Sequence, residues 1–282
     1  ITGEPDACIL GLGTNTPGEI KKLAVVTDPD ISLITNVNPS HLEGLESLDG
    51  ILEEKLDLFR YTRPHGKILV NIDDPGLAVR YRHTGHASIT FAIISIISPV
   101  GTIEARTSLL GRHNLYNLLA AATIASVMGV DHSSIARAID EFSSYDKRLQ
   151  PIESSHGFII IDDTYNANPS SMEWAIRTLS DLPSNGKKVV VLGGMKELGK
   201  DSTLYHREMG KFLKDLKDIG LIVLFGEETA DTFSELGNTR AVHFNDKGEL
   251  IDYLRLHLNA GDTVLVKGSR AFKMEEIVEA LK

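Results

Sequence analysis

The chain has 282 residues, 42% of them hydrophobic, and a formal net charge of −10. That length suits two domains with a sizeable core, and the acidic balance argues against a general nucleic-acid binder, whose footprint is a basic patch. A single cysteine, Cys8, excludes an internal disulfide framework and a cysteine-rich zinc site; it reads as a small buried residue of a strand.

The segment DACILGLG (6–13) reads as a strand and PGEIKKLAVV (17–26) as a helix with Pro17 at its first position. ISLITNV (31–37) is a strand. Residues 40–59 read as one helix, with Ser40 and Glu43 as a capping box. KILVNID (67–73) is a strand, and Asp74 with Pro75 opens the next helix. Residues 87–108 alternate in β fashion with no helix between them, which predicts an antiparallel segment on a mostly parallel sheet. FAIISIISPV, within that stretch, is too short and too β-branched to cross a membrane, a task that takes roughly 18 apolar residues. Helices follow at 113–129 and 132–142.

From 158 onward strand and helix alternate strictly. The strands are 158–163, 188–193, 221–226, 241–244 and 263–268, each followed by a helix. This predicts an α/β fold whose second half, 147–282, is a Rossmann-like doubly wound domain, with 1–146 as the first domain. Ligands of such sheets bind beyond the carboxyl ends of the strands, so Asp163, Gly194, Gly226 and Lys267 belong on one rim. No signal peptide is visible, so a cytoplasmic protein without membrane contact is expected. The chain opens at Ile1 without Met, as a fragment of a longer protein would.

The stretch GGMKELGKD (193–201) nearly spells a phosphate-binding loop: Gly194 and Gly199 have the right spacing and Lys200 follows. Asp201 stands where the motif needs a hydroxyl for Mg²⁺, and the apolar period of the next helix begins only at Leu204. Asp201 or Ser202 is then a helix cap, and the loop is a decoy.

Chemistry is more plausible elsewhere, though each position has a bland reading too. His113 and Asn117, four apart at a helix start, suit a nucleotide or a simple cap. Asp162 and Asp163 end a buried strand on alternate faces, so one of them faces the crevice; Asn168 before Pro169 is an ordinary cap. Lys267, Ser269 and Arg270 on a strand–helix turn suit an anion or a solvated turn. His41 reads equally as a capping residue, and Lys55 as a surface lysine.

Taken in order, GTNTPGEI, ITNVNPSHLEG, LEEKLDLF, GRHNLYNLLAA, DDTYNANPSSM, GGMKELG and VLVKGSRAFKMEEIV resemble the Mur ligases over nearly the whole chain, above all the D-Ala-D-Ala-adding kind. The resemblance implies a central ATPase domain followed by the Rossmann-like domain. It implies an ATP-dependent amide ligase of peptidoglycan precursor synthesis, acting on a UDP-MurNAc-peptide and D-Ala-D-Ala through an acyl phosphate. By the same resemblance His41 ligates Mg²⁺ and Lys55 is carbamylated, becoming a metal-bridging anion. Asn36, His113 and Asn117 line the nucleotide side. Arg148 and Asp163 close over ATP; Tyr165, Asn166, Lys267, Ser269 and Arg270 face the dipeptide or the intermediate. A cytoplasmic monomer is implied, and His206 matches a further histidine of the family. Departures exist. The family's P-loop would lie before Ile1, Gly11 replaces a metal-binding Glu, and Gly194 replaces the Asp of G-D-M. The alternatives are a non-catalytic nucleotide- or peptide-binding protein with the same fold, and another superfamily member of the folylpolyglutamate synthase kind.

Overall fold

The structure, a computed structural model, describes residues 7–39, 42–45, 47–81, 87–91, 103, 105, 107–237 and 240–282. Two compact units emerge, Ile1–Phe91 and Ala92–Lys282.

In the first unit, β1 (Ile31–Ile34), β2 (Lys67–Asn71) and β3 (Ala87–Phe91) form a sheet in that order. All three are parallel. The predicted antiparallel segment is therefore corrected over 87–91. The six-residue helix α4 (Pro75–Arg80) connects β2 to β3, so the chain crosses over rather than turning back as a hairpin. The rest of that prediction lies mostly outside the described residues.

Ile68, Leu69 and Val70 of the central strand are fully buried on both faces. Against the sheet lies α3 (Leu48–Arg60), with Ile51, Leu52, Leu56 and Phe59 inward and α1 (Glu19–Thr27) packed on it through Ile20 and Ala24. The single helix predicted for 40–59 is two, α2 (Leu42–Leu45) and α3, the second capped by Ser47, whose side chain accepts from Gly50 N at 3.0 Å. Pro17 precedes α1 rather than opening it; Gly18 (φ 85°) is the cap. Residues 7–14 form no strand, and Cys8 is exposed rather than buried.

The second unit begins with α5 (Arg112–Val127) and α6 (His132–Glu141). Its sheet has β4 (Gln150–Glu153), β5 (Ile159–Asp163), β6 (Lys188–Gly193), β7 (Ile219–Phe225), β8 (Ala241–Phe244) and β9 (Thr263–Lys267). Their order is β4-β5-β9-β6-β7-β8, parallel except β4, which pairs antiparallel with β5. Helices α7 (Pro169–Asp181), α8 (Ser202–Asp215), α9 (Ala230–Leu236), α10 (Lys247–His257) and α11 (Glu275–Leu281) follow the strands as predicted. Side-chain alternation sorts the core into two layers. Ile161, Val190, Leu192, Ile222 and Leu265 face Met172, Ile176, Leu179, Met209 and Leu213 of α7 and α8. Ile160, Val189, Val191, Val223 and Val264 face Leu250, Leu254, Ile277 and Val278 of α10 and α11.

Candidate functional site

In the first unit the polar cluster gathers where β1 and β2 end. Lys55 Nζ donates to the Asn36 carbonyl at 2.9 Å. Asp74 caps α4 by accepting from Leu77 N at 3.0 Å, and its other oxygen accepts from Val37 N at 2.7 Å, which fixes the turn carrying Asn36. Burial lowers the pKa of Lys55, and the charge of Asp74 opposes that shift. Asp74 was legible only as a cap; its second contact was not. Next to Lys55, Glu54 is buried and accepts from Gly18 N at 2.7 Å and Ile20 N at 2.8 Å. Glu19 accepts from Asn15 N at 2.7 Å and Thr16 N at 3.1 Å, bonds that pull its pKa down to about 2.

His41 lies outside the described residues. Among the described residues no group of three or more His, Cys, Asp or Glu could hold a metal ion. An ammonium donating to a carbonyl is no metal ligand either, so Lys55 fits a Mg²⁺ site only once carbamylated.

The second unit carries a denser cluster. Asp162 and Asp163 do face opposite ways. Asp162 is buried and accepts from Thr164 N at 3.1 Å and Thr164 Oγ1 at 2.7 Å; burial raises its pKa and those bonds oppose the rise. Asp163 Oδ2 meets Lys267 Nζ at 2.6 Å across the neighbouring strands β5 and β9. Lys267 is 3% exposed and also donates to the Asn166 carbonyl at 3.0 Å. The second oxygen of Asp163 accepts from Leu149 N at 3.2 Å.

Arg148 leans on the Tyr165 ring, 4.2 Å from its centroid, within cation–π range. Its neighbours Lys147 (φ 63°) and Leu149 (φ 49°) both adopt left-handed backbone, which costs a non-glycine residue about 1 kcal/mol or more. The surroundings hold that geometry. Leu149 is buried, Tyr165 N donates to the Lys147 carbonyl at 3.2 Å, and Lys147 Nζ reaches Glu275 Oε1 at 3.2 Å. The same Glu275 oxygen lies 3.3 Å from Arg270 NH1. Lys147 and Glu275 were not foreseen; no spacing rule links residues so far apart.

His113 joins this cluster. Burial lowers its pKa, Asp163 raises it and Lys267 lowers it further, so the imidazole feels both charges. Its Nδ1 is buried with no hydrogen-bond partner among the described residues. Asn117 is not brought in; it is exposed, and its amide donates to Asn114 Oδ1 at 3.2 Å.

Ser269 is buried and bridges two loops: its Oγ accepts from Lys196 N at 2.9 Å and donates to the Ala167 carbonyl at 3.1 Å. The ring of Phe272 lies on a floor of glycines. A Cβ at Gly194 would come within 2.7 Å of its Cζ, and one at Gly226 within 2.7 Å of its Cε1. In the near-miss loop, Lys200 is exposed in a 3₁₀ turn, Gly199–Asp201, that runs into α8. Asp201 sits at the cap position of α8 without making the side-chain capping bond expected of it.

Comparison with known proteins gives a consistent result. The profile of the Mur ligase middle domain matches residues 2–125, and that of the Mur ligase glutamate ligase domain matches residues 147–270. The chain is 31% identical to the UDP-N-acetylmuramoyl-tripeptide–D-alanyl-D-alanine ligase of Haemophilus influenzae; the match covers 97% of this chain and 64% of that relative. A crystal structure of MurF from Acinetobacter baumannii superposes with a TM-score of 0.85 at 28% identity, covering 95% of this chain and 63% of that one. The MurF ligase from Thermotoga maritima, in complex with ADP, superposes with a TM-score of 0.81 at 24% identity, over 96% and 65% of the two chains, a likeness of fold.

Proposed function

The chain belongs to the Mur ligase family, and from that premise we propose that it forms the central and C-terminal parts of an ATP-dependent amide ligase that adds D-Ala-D-Ala to a UDP-MurNAc-peptide. It works as a cytoplasmic monomer without nucleic acid or membrane. Among the described residues no helix is long and apolar enough to cross a membrane. We divide the chain at 146/147, which the gap between the matched segments 2–125 and 147–270 supports, although the compact units part earlier, at 91/92.

The observation that carries the reading is the buried Lys267–Asp163 pair at the rim of β5 and β9, whose charges both act on His113, a residue with a buried nitrogen that has no hydrogen-bond partner among the described residues. A nearly water-free cation stabilises charge that develops on a phosphorylated carboxylate or a tetrahedral intermediate far better than a solvated one. Lys267 does that here. Asp163, committed to Lys267 and to Leu149 N, holds the ammonium in place rather than touching ATP itself. Arg270, exposed on the following turn, adds a second positive charge toward the incoming dipeptide. Tyr165, Asn166 and Ser269 shape that face, and Arg148 and His113 attend the nucleotide. Mg²⁺ would accompany ATP, and His41 with a carbamylated Lys55 would hold it. Carbamylation requires a neutral amine, and burial moves Lys55 toward that state.

The test is a ligation assay on the full-length gene product with ATP, D-Ala-D-Ala and UDP-MurNAc-tripeptide. ADP release that depends on both peptide substrates is expected; its absence overturns the reading. The 282-residue chain alone, which contains no G-K-[ST] sequence, is expected to give no turnover. A non-catalytic binding protein is the second reading, favoured by Gly11 in place of a metal-binding Glu. Among the described residues beyond its chain neighbours, no heavy atom lies within 4 Å of a Cβ built at Gly11, so a side chain has room there, and Gly11→Glu should tighten Mn²⁺ binding in calorimetry.

A further inference from the structure

The loop 194–199 ties together the turns after β5, β6 and β9. Its anchor is His206 on α8, 2% exposed. His206 Nε2 faces Met195 N at 3.1 Å, and Nδ1 faces the Ser202 carbonyl at 2.8 Å and Ser202 Oγ at 3.4 Å. An N–H only donates and a carbonyl only accepts, so the ring proton sits on Nδ1 and the lone pair on Nε2. One residue on, Lys196 N donates to Ser269 Oγ, which donates to the Ala167 carbonyl, while Ser269 N donates to the Gly194 carbonyl at 3.0 Å. Asn166, just before Ala167, gives its carbonyl to Lys267. A continuous relay thus runs from the imidazole to the ammonium of Lys267.

We propose that His206 is a positioning residue: a neutral imidazole, protonated at Nδ1, that pins the backbone of residues 194–196 and, through Ser269 and the 166–167 turn, sets the position of Lys267. A second ring proton would put a hydrogen on Nε2, opposite the Met195 N–H. Two donors would then face each other and the anchor would be lost.

Charged groups face the ring from each element around it: Glu228 and Asp231 from the turn and helix after β7, and Lys196, ion-paired with Glu228, from the loop. Arg207 on α8 pairs with Asp231 at 3.3 Å. Burial is the largest influence and lowers the ring's pKa; the Ser202 carbonyl, Glu228 and Asp231 raise it, and Lys196 lowers it. The fold favours the neutral ring. Its contribution is therefore whole above the ordinary histidine value of about 6.5 and is lost as pH falls through the lower folded value.

The inference rests on the ligase reading only for its rate measurement, and the test keeps the two apart. In the full chain, NMR records the ring ¹⁵N shifts of His206 and the exchange protection of the Met195 and Lys196 amides between about pH 7.5 and pH 5. The Nδ1–H tautomer is expected, with protection falling about tenfold or more, beyond the intrinsic pH effect, as the ring titrates. His206→Gln, which keeps an acceptor, should retain protection with no pH step; His206→Phe should lose it throughout. Should the Phe variant not fold, the wild type and the Gln variant decide. In the full-length protein the acid limb of kcat should flatten in His206→Gln, with KM for ATP unchanged. An Nε2–H tautomer, amide protection indifferent to the titration, or an acid limb identical in the Gln variant overturns the proposal. If the wild type does not ligate, the ligase reading falls, and the tautomer and exchange data still judge His206.

Discussion

Lys55 in the first unit and Lys267 in the second are the same side chain set in opposite surroundings. Lys55 donates to a neutral backbone carbonyl, and burial lowers its pKa against the pull of Asp74. Lys267 is more deeply buried and is bound directly to a carboxylate at 2.6 Å. The pairing partner, more than the depth, decides what a buried amine becomes. Burial works against the charge of the one; the other meets an opposite charge on a carboxylate. Residue type alone could not have said which was which.

The sharpest way to break the contrast is to leave Lys267 without its carboxylate. Asp163→Ala should cost about 3–5 kcal/mol, because it strands a buried charge, whereas Asp163→Ala with Lys267→Met should recover most of the loss. Urea unfolding at neutral pH measures both, and a single-variant loss below about 1 kcal/mol would show that Lys267 relaxes into water. A smaller effect separates the two jobs of Asp74. Asp74→Ala should cost about 0.5–2 kcal/mol through the lost cap. Asp74→Asn should keep most of that cap yet move the pKa of Lys55 lower still, read from its ζ ¹⁵N shift. An unmoved shift would dissociate Asp74 from Lys55.

The third test concerns chemistry. With ¹³C-bicarbonate, the wild type should show a carbamate resonance that vanishes in Lys55→Gln; a signal surviving in that variant belongs to another amine. The sign of the pH dependence follows from the lowered pKa. Burial penalises the ammonium, so the contribution of Lys55 to stability is greatest above the ordinary lysine value of about 10.4 and is lost as pH falls through the folded value. The smallest effect belongs to a third lysine. Lys200 is exposed, so Lys200→Ala should change stability by no more than about 0.5 kcal/mol. It should leave ATP affinity of the full-length protein unaltered in calorimetry; a clear loss of affinity would restore the near-miss motif as a phosphate site.

The alternation of strands and helices from 158 onward was legible because buried parallel strands write themselves as unbroken runs such as KVVVLG and TVLVKG. The rim positions followed from where those runs stop. β4 escaped notice because QPIE is short and contains Pro151; it is a strand only by virtue of β5 beside it, at the edge of the sheet where proline is tolerated. The direction of β3 escaped because alternation marks a strand without saying what precedes it. The family resemblance reached Lys267, Asp163 and Arg148 as separate site residues. It could not say that two of them bind each other, or that two left-handed residues flank the third. The imidazole of His206 was visible only as a match, because its role depends on a backbone amide eleven residues away.

The glycine floor under Phe272 constrains the order in which this chain can change. With the ring's Cζ within 2.7 Å of where a Cβ at position 194 would stand, placing an aspartate there first would force the ring to shift. Trimming Phe272 first would open a void over Gly194 and Gly226. Each single step passes through a less stable intermediate, while the double exchange need not. Gly194 and Phe272 should therefore vary together among descendants of this sequence, and a library that randomises both at once should recover combinations that one-at-a-time mutagenesis rejects.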